Sequence, residues 1–141
     1  YGPLGRPDMA LFKFTKAILE DKPIDVYNFG NMKRDFTFIT DIVDGVVRSL
    51  DRVSEVKYSV LNLGNSNTVQ LNRFIEIIEE ELGKKAERNL MPLQPGDVPE
   101  TFADIEKTKE VLSWEPKVGI EEGIKKFIDW YKGYYSKNYY G

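Results

Sequence analysis

The sequence of 141 residues contains no cysteine and no histidine. Without cysteine the chain has no disulfide, no thiolate nucleophile and no cysteine-ligated metal. Without histidine it lacks the commonest general base and metal ligand of proteins, which excludes a Ser-His-Asp triad. No apolar run approaches the roughly 20 residues that a transmembrane helix needs, and we see no signal peptide. We therefore expect a cytoplasmic protein with no bound metal and no membrane partner.

The residues that are present have the balance of a globular domain. Hydrophobic residues make up 41% of the chain and charged residues 30%, and 141 residues are enough for one domain with a buried core. The formal net charge is −3 at pH 7, whereas nucleic-acid-binding domains are usually basic, so we expect no nucleic-acid partner. The chain starts with Tyr1 rather than methionine, and we interpret it as a fragment or a processed piece.

Helix-like and strand-like segments alternate along the chain. The spacing of apolar residues predicts about five helices, and residues suited to helix ends mark their limits. The predicted markers are an N-cap at Asp8, an N-cap at Thr40 or Asp41, a C-cap at Gly83, an N-cap at Asp104 and a last helix over 120–131. Strands are predicted at 24–29, 36–39 and 60–64, and a fourth begins near Arg88. This order predicts an α/β fold with three or four short strands and at least one strand–helix unit.

Two arginines are candidates for binding an anion. Arg6 lies among glycines and prolines just before a predicted helix N-terminus, where backbone N–H groups favour anions. Arg34 stands directly before the predicted strand 36–39, and a guanidinium held there can meet a diphosphate with its two-pronged geometry. Each has a plainer interpretation that the sequence leaves open: Arg6 is a solvated turn residue, or Arg34 forms a local ion pair with Asp35.

Two further residues suit a nucleoside. Tyr27 ends a predicted strand before a glycine-containing turn, where its ring can stack on a base or a sugar, or simply pack against the core. Asp97 lies in the turn QPGD, residues 94–97, where its carboxylate can accept two ribose hydroxyls or cap the turn. An anion site, a flat ring and a diol acceptor together indicate a nucleoside diphosphate.

Four segments carry a resemblance to a known family. They are YGPLGRPDMALFKFTKAI, PIDVYNFGNMKRDFTFITDIVDGV, LNLGN and QPGDVPETFADIEKTKEVLSWEPK. In this combination and order they resemble the C-terminal part of NAD-dependent nucleotide-sugar epimerases, which are extended short-chain dehydrogenase/reductases. The resemblance covers nearly the whole chain, to about Tyr131. The GRPDMA form is most similar to UDP-glucuronate 4-epimerases.

The resemblance implies that the chain is the small C-terminal substrate-binding domain of an extended Rossmann-type epimerase. The family's glycine-rich pyrophosphate loop and its Tyr-x-x-x-Lys catalytic pair do not occur in this sequence. We therefore assign no catalytic and no NAD-binding residue here, and expect a missing N-terminal Rossmann domain to bind most of the NAD. The domain is expected to span 1–141, to return one or two elements to the Rossmann domain, and to end in a frayed tail at 132–141.

The family roles that match positions of this chain all concern its substrate, a UDP-sugar. The resemblance implies these contacts: Arg34 with the diphosphate, Asp8 and Met9 with the nucleotide half, Val26 and Tyr27 with the uracil side, Asp97 with the ribose hydroxyls, and Arg6 with the sugar acid or the diphosphate. Two positions depart from UDP-galactose epimerases, which have an arginine at the position of Gln94 and a tyrosine at that of Thr101. These departures weaken a galactose-epimerase assignment.

The implied function is to bind the nucleotide diphosphate of a UDP-sugar while the full-length enzyme converts UDP-glucuronate to UDP-galacturonate with NAD. Two alternatives remain open: a dehydratase or decarboxylase of the same family, and an acidic interaction domain without catalytic function. We expect the fragment alone to be inactive. We also expect it to form a homodimer or aggregate, because the helix with Val43, Val46 and Val47 and the segment 60–64 would expose apolar surface.

Overall fold

The computed structural model describes residues 1–135, and this part contains six α-helices and four short strands. The helices are α1 (Ala10–Leu19), α2 (Ile39–Asp51), α3 (Val53–Val56), α4 (Leu71–Leu82), α5 (Glu106–Leu112) and α6 (Ile120–Trp130). The strands are β1 (Ile24–Val26), β2 (Lys33–Asp35), β3 (Thr68–Gln70) and β4 (Arg88–Leu90). A 3₁₀ turn, Tyr27–Gly30, follows β1, and a π-helical turn, Tyr131–Tyr135, extends α6. The predicted α/β class is confirmed.

The four strands form two small sheets. β1 pairs in parallel with β4, and β2 pairs antiparallel with β3. The loop after β4 then runs beside β2, because the Lys33 N–H donates to the carbonyl of Pro99 (2.8 Å) and the Thr101 N–H donates to the carbonyl of Lys33 (3.2 Å). β2 is therefore held on both sides, by β3 and by residues 99–101.

The main core lies between α1, α4 and α6. Each of these helices has apolar residues on one face, and the three faces meet. Phe74 and Phe127 are fully buried at its centre, and Phe36 stacks on Phe74 with ring centroids 4.3 Å apart. Since burying one aromatic side chain stabilises a fold by roughly 1.5–3 kcal/mol, this cluster is the main source of stability.

A second, smaller core surrounds α5 and packs against α2. Its buried members are Ile105, Leu112 and Trp114. The buried residue Asp41 of α2 joins it to the segment after α5. The Asp41 carboxylate accepts hydrogen bonds from two backbone N–H groups, those of Lys117 (3.1 Å) and Val118 (3.0 Å). Its carbonyl accepts a third bond from the indole of Trp114 (3.0 Å).

The outer face of α2 is apolar and exposed. Val43, Val46, Val47 and Leu50 are 52%, 48%, 49% and 68% exposed. They lie at positions i, i+3, i+4 and i+7, so they form one stripe along the helix. Single apolar residues on a surface are common, but a continuous stripe of this kind marks an interaction surface. We call these four residues the α2 stripe.

Several predicted helix limits are confirmed. The helix α4 spans Leu71–Leu82, and Gly83 follows it with a φ of +66°, the left-handed conformation that suits a C-cap glycine. The helix α6 and its π-helical extension cover the predicted segment 120–131. The N-cap predicted for α5 is one residue early, because Ile105 rather than Asp104 precedes the helix, although the Asp104 carboxylate still accepts the N–H of Glu106 (3.0 Å).

Two other predicted N-caps are also wrong. Met9 rather than Asp8 precedes α1, and no side chain caps that helix. The Asp8 carboxylate is engaged in a side-chain ion pair instead. Phe38 is at the N-cap of α2, so Thr40 and Asp41 already lie inside the helix.

The strand predicted at 36–39 is also wrong. Apart from the carbonyl of Phe38, which accepts N–H groups of the first turn of α2, the backbone bonds of this segment within residues 1–135 go to one residue. The ammonium group of Tyr1 donates to the carbonyl of Thr37 (2.7 Å), and the Ile39 N–H donates to the carbonyl of Tyr1 (2.9 Å). A strand needs a partner with which it exchanges a ladder of bonds. The ladder lies earlier in the chain, in β2, and helix α2 begins at Ile39.

Three further segments differ from the prediction. The segment 60–64 is not a strand, since none of the described residues pairs with it. The strand predicted at 24–29 ends after Val26, because Asn28 and Phe29 have φ values of +50° and +52°, which an extended strand does not permit. Residues 132–135, expected to be frayed, belong to the π-helical turn, and 136–141 lie outside the described residues. No helix within residues 1–135 has both the length and the apolarity for crossing a membrane.

Candidate functional site

A cavity of about 570 Å³ opens beside α1, β1 and β2. Its volume falls in the range of ligand-binding sites. Five of the seven residues that the sequence singled out as substrate contacts line it: Arg6, Met9, Tyr27, Arg34 and Asp97. The other walls include apolar side chains of the main core, such as Phe12 and Phe74. We call this space the main cavity.

Arg34 is half-buried in β2 at the wall of the main cavity. Its Nη1 donates to the carbonyl of Lys33 (2.9 Å), which holds the guanidinium against the strand. The alternative of an ion pair with Asp35 is wrong, because no acidic side chain of the described residues 1–135 pairs with Arg34. The remaining N–H groups of this guanidinium are therefore available to an anion.

The Asp35 carboxylate bonds to the backbone instead. It accepts hydrogen bonds from the N–H groups of Asn65 (2.8 Å), Ser66 (3.0 Å) and Ala103 (3.0 Å). These bonds attach β2 to two loops that are far apart in the sequence. They fix the backbone from which Arg34 projects.

Asp97 reaches the main cavity on a tight turn. Its N–H donates to the carbonyl of Gln94 (3.1 Å), and Gly96 has a φ of +90°, which favours glycine. The backbone thus closes the turn, so the carboxylate is not needed to cap it. The Asp97 side chain is exposed, and its oxygens can accept hydrogen bonds from a ligand.

Arg6 and Asp8 form an ion pair at the rim of the main cavity. The Arg6 Nε donates to Oδ1 of Asp8 (3.1 Å) and its Nη2 donates to Oδ2 (2.5 Å). The hydrogen bond from Arg6 lowers the pKa of the Asp8 carboxyl, and the same bond together with the charge of Asp8 raises the pKa of Arg6. Both side chains are largely exposed, so the pair stabilises the fold little. An anion that binds Arg6 must compete with Asp8.

Asp8 does not line the main cavity. It lines a neighbouring cavity of about 340 Å³, together with Lys13. The two cavities share a wall that includes Asp25 and Tyr27. The half-buried residue Tyr27 therefore lies between two spaces, and its contact with a ligand stays a prediction.

Val26 is the residue that the structure does not bring to either cavity. Its side chain is completely buried in the main core, and its carbonyl accepts the N–H of Met91 (3.0 Å). Neighbouring residues of a strand point to opposite faces, so Asp25 and Tyr27 are the ones that reach the main cavity. The structure therefore offers no contact through the Val26 side chain, and the predicted role of Val26 stays a prediction. The buried, exposed, buried pattern of β1 is the signal from which Asp25 could have been found.

The sequence also gave no indication that Tyr1 lines the main cavity. Its ring packs edge-on against Phe36 and Phe38, with centroids 6.1 and 5.4 Å apart. Burial, and after it the negative charge of Asp41, raises the pKa of the Tyr1 phenol. These contacts join residues that are more than thirty positions apart, which periodicity within one segment does not reveal.

The main cavity combines three kinds of group. Arg34 offers a guanidinium, Asp97 a carboxylate and Tyr27 an aromatic ring, all beside an apolar wall. This set can bind an anion, a diol and a flat ring at the same time. No cluster of three or more acidic side chains that would hold a metal ion is present within residues 1–135.

Comparison with known proteins identifies the family to which this chain belongs. The family model described as GDP-mannose 4,6 dehydratase matches residues 1–127. Protein CapI of Staphylococcus aureus is 48% identical over 97% of this chain and 46% of its own length. The UDP-glucuronate 4-epimerase of Thermodesulfobacterium geofontis is 46% identical over 94% of this chain and 40% of its own length.

A solved structure has the same architecture. The UDP-glucuronic acid 4-epimerase from Bacillus cereus, in complex with UDP-glucuronic acid and NAD, matches with a TM-score of 0.84 and 35% identity. The match covers 94% of this chain and 42% of that one, so the chain spans less than half the length of the relatives it resembles. The resemblance to nucleotide-sugar epimerases, and most of all to UDP-glucuronate 4-epimerases, is confirmed. The chain belongs to the GDP-mannose 4,6-dehydratase family.

Proposed function

We propose that this chain is the nucleotide-sugar-binding part of an NAD-dependent UDP-glucuronate 4-epimerase. The observation that carries the proposal is the convergence of Arg34, Asp97 and Tyr27 on one cavity. Asp97 lies more than sixty positions from the other two in the sequence, and together they supply the three kinds of contact that a nucleoside diphosphate requires. An acidic domain that served only as an interaction module would have no need of this arrangement.

Each group has a separate task in the proposed complex. The guanidinium of Arg34 binds the diphosphate, because its parallel N–H groups match two phosphate oxygens and no carboxylate of residues 1–135 pairs with it. The carboxylate of Asp97 accepts hydrogen bonds from the two ribose hydroxyls. The ring of Tyr27 lies against the base. Met9, which is 55% exposed at the cavity wall, contributes apolar contact to the nucleotide.

Arg6 has a different role in this proposal. It lies at the rim of the main cavity, where the sugar end of the substrate would emerge, and its guanidinium is engaged by Asp8. A carboxylate of glucuronic acid has the same charge and shape as the Asp8 side chain, so it can take that place. Asp8 thus keeps Arg6 oriented until the substrate arrives.

The chain's contribution to catalysis is binding energy. Interactions with the nucleotide, far from the reacting carbon, hold the sugar in the position that the reaction needs. The residues described here do not suit NAD, because the sequence has no glycine-rich pyrophosphate loop. NAD and the catalytic tyrosine and lysine are therefore assigned to a Rossmann domain in the part of the full-length protein outside this chain.

The α2 stripe is the surface proposed to pack against that Rossmann domain. The solved relative is more than twice as long as the matched segment, so a large partner within the same polypeptide is available. The segment 60–64 points to the same partner, since Val60 is 80% exposed and its backbone has no partner strand among residues 1–135. A cytoplasmic location and a homodimer of the isolated chain stay predictions.

A second candidate is a dehydratase of the same family. It is favoured by the description of the family model, and the dTDP-glucose 4,6-dehydratase of Bacillus anthracis has the same fold with a TM-score of 0.81 and 26% identity. Both reactions require that the nucleoside diphosphate be bound in the same way. The residues that determine which reaction occurs act at the sugar ring, and we assign them to the Rossmann domain outside this chain.

The test compares the full-length protein with the isolated 141-residue chain. Each is incubated with UDP-glucuronate and NAD, and the sugar is followed by NMR. We expect the full-length protein to form UDP-galacturonate and the isolated chain to form nothing. A 4-keto-6-deoxy or decarboxylated product would favour a dehydratase or a decarboxylase. Turnover by the isolated chain would refute the assignment of the catalytic residues to the missing part.

A further inference from the structure

Asp35 connects the two proposed ligand-binding residues of the main cavity. It follows Arg34 directly in β2, and its carboxylate accepts the N–H groups of Asn65, Ser66 and Ala103 at 2.8, 3.0 and 3.0 Å. One oxygen, Oδ2, serves two of these donors. Three hydrogen bonds leave little accepting capacity for a ligand, so Asp35 acts on the protein itself.

The loops around Asp35 are packed so closely that one position needs glycine. A Cβ built on Gly64 would collide with the Cβ of Ala103 and would lie 3.3 Å from Oδ2 of Asp35. The Asp35 N–H also donates to Oγ1 of Thr101 (3.2 Å). Backbone and side chain of Asp35 are thus bonded to one segment, 101–103, and the side chain also reaches 65–66.

The segment 99–103 leads directly to Asp97. Residues 99 and 101 are hydrogen-bonded to Lys33, and 101 and 103 are hydrogen-bonded to Asp35. Arg34 lies between these two anchored positions of β2. The distance between the guanidinium and the carboxylate of Asp97 therefore depends on the bonds that Asp35 makes.

We propose that Asp35 is a positioning residue, which sets Arg34 and Asp97 at the spacing of a diphosphate and a ribose. The proposal rests on the proposed function of those two residues. It goes further by assigning the fit of the site to a residue that lines the main cavity but directs its carboxylate at backbone N–H groups rather than at the ligand. Loss of the Asp35 carboxylate would leave both ligand-binding groups in place but at the wrong separation.

The experiment uses the full-length protein with Asp35→Asn, in which an amide N–H₂ must face at least one backbone N–H. Calorimetric titration measures the affinity for UDP and, separately, for NAD. We expect the dissociation constant for UDP to rise about tenfold, and that for NAD to change by less than about twofold. The control is Asp129→Asn, which removes an exposed carboxylate of α6 and should change neither.

A double-mutant cycle with Arg34→Ala separates positioning from general stability. If Asp35 acts through Arg34, Asp35→Asn lowers the affinity for UDP much less in the Arg34→Ala protein than in the wild type. Full additivity, or equal losses for UDP and NAD, would overturn the positioning role. An Arg34→Ala protein with unchanged UDP affinity would refute the proposed function itself, so the two failures are distinguishable.

A second variant covers the case in which Asp35→Asn does not fold. Thr101→Val keeps the size of the side chain but removes the oxygen that accepts the Asp35 N–H. We expect a weaker change of the same kind, about a threefold rise in the dissociation constant for UDP, and rescue by Thr101→Ser. A Thr101→Val protein that binds UDP like the wild type would overturn the proposal in that case.

Discussion

The two sides of this chain differ in how far they complete their own core. Around the main cavity, α1, α4 and α6 enclose 16 buried apolar or aromatic residues. The small core beside α2 has three buried members among the described residues, and the α2 stripe faces water. The ligand-binding side is thus supported by its own residues, whereas the α2 side lacks a partner surface. A binding site and a domain junction can therefore have separate physical foundations within one short chain.

The sharpest test of this difference is a pair of core truncations in the isolated chain. Phe74→Ala should lower the free energy of unfolding by about 3–5 kcal/mol, because it empties the centre of the main core. Leu112→Ala in the small core should cost nearer 2 kcal/mol, about the lower limit for such truncations. Urea denaturation measures both. A larger cost for Leu112→Ala would break the comparison.

The next effect concerns the ligand and is confined to the cavity side. In the full-length protein, Arg34→Ala should weaken UDP-sugar binding by about 1.5–3 kcal/mol, the value of a charge-assisted contact. Arg34→Lys should restore part of this, since an ammonium lacks the two-pronged geometry. Affinity for NAD should stay nearly constant.

The matched control is Arg73→Ala. Arg73 is an equally charged residue of α4 whose partners are surface glutamates, including Glu80 (3.0 Å), and it does not line the main cavity. Its removal should leave UDP-sugar binding unchanged. If Arg34→Ala and Arg73→Ala behave alike in titration calorimetry, the diphosphate role of Arg34 is wrong.

A smaller effect is expected on the α2 side. The isolated chain should associate as its concentration rises, because the α2 stripe presents apolar surface to water. Val47→Lys places a charge within the stripe and should shift the chain towards the monomer. Sedimentation velocity over a concentration series measures this. A wild-type chain that stays monomeric throughout would show that the stripe needs no partner, and the contrast between the two sides would lose its basis.

The smallest effect is a pH dependence on the cavity side. Burial alone would raise the pKa of Glu79, but hydrogen bonds from Lys85, Arg88 and the Ala86 N–H outweigh it and lower that pKa. The carboxylate therefore stabilises the fold at pH values above its pKa in the unfolded chain. This stability is lost as the pH falls through the lower pKa of the folded state.

The variant Glu79→Gln should flatten this loss in urea denaturations between about pH 6 and pH 3, which brackets the ordinary range of a glutamate. Glu76→Gln on the exposed face of the same helix serves as the control and should keep the wild-type slope. An unchanged slope in Glu79→Gln would mean that other carboxylates govern acid unfolding.

Local patterns in the sequence were enough for some elements. The spacing from Leu71 to Leu82 and the glycine after it determine α4 by themselves, since both depend on neighbouring residues. Five of the seven predicted site residues also meet at one cavity. Local patterns marked four of these as candidates with a plainer interpretation left open, and the family resemblance supplied Met9 and the role of each.

Long-range contacts account for what was missed. The sequence does not show which face of β1 the core will cover. The prediction therefore named Val26, which is buried, and missed Asp25, which lines the main cavity. The pattern at 36–39 resembles a strand, yet among residues 1–135 its long-range backbone bonds go to a single distant residue, Tyr1. Asp8 is the local exception: its carboxylate pairs with Arg6, two residues away, and caps no helix. Neither of the first two outcomes follows from the spacing of nearby residues.

The two cores can also be followed separately by tryptophan fluorescence. The chain has two tryptophans: Trp114 is 1% exposed in the small core, and Trp130 packs against the main core beside Phe12. Indole fluorescence shifts to longer wavelength when water reaches the ring. A protein with either tryptophan replaced by phenylalanine therefore carries a built-in optical reporter for one side alone. Local opening of the α2 side, which precedes global unfolding if that side is the weaker, would first redden the emission of Trp114.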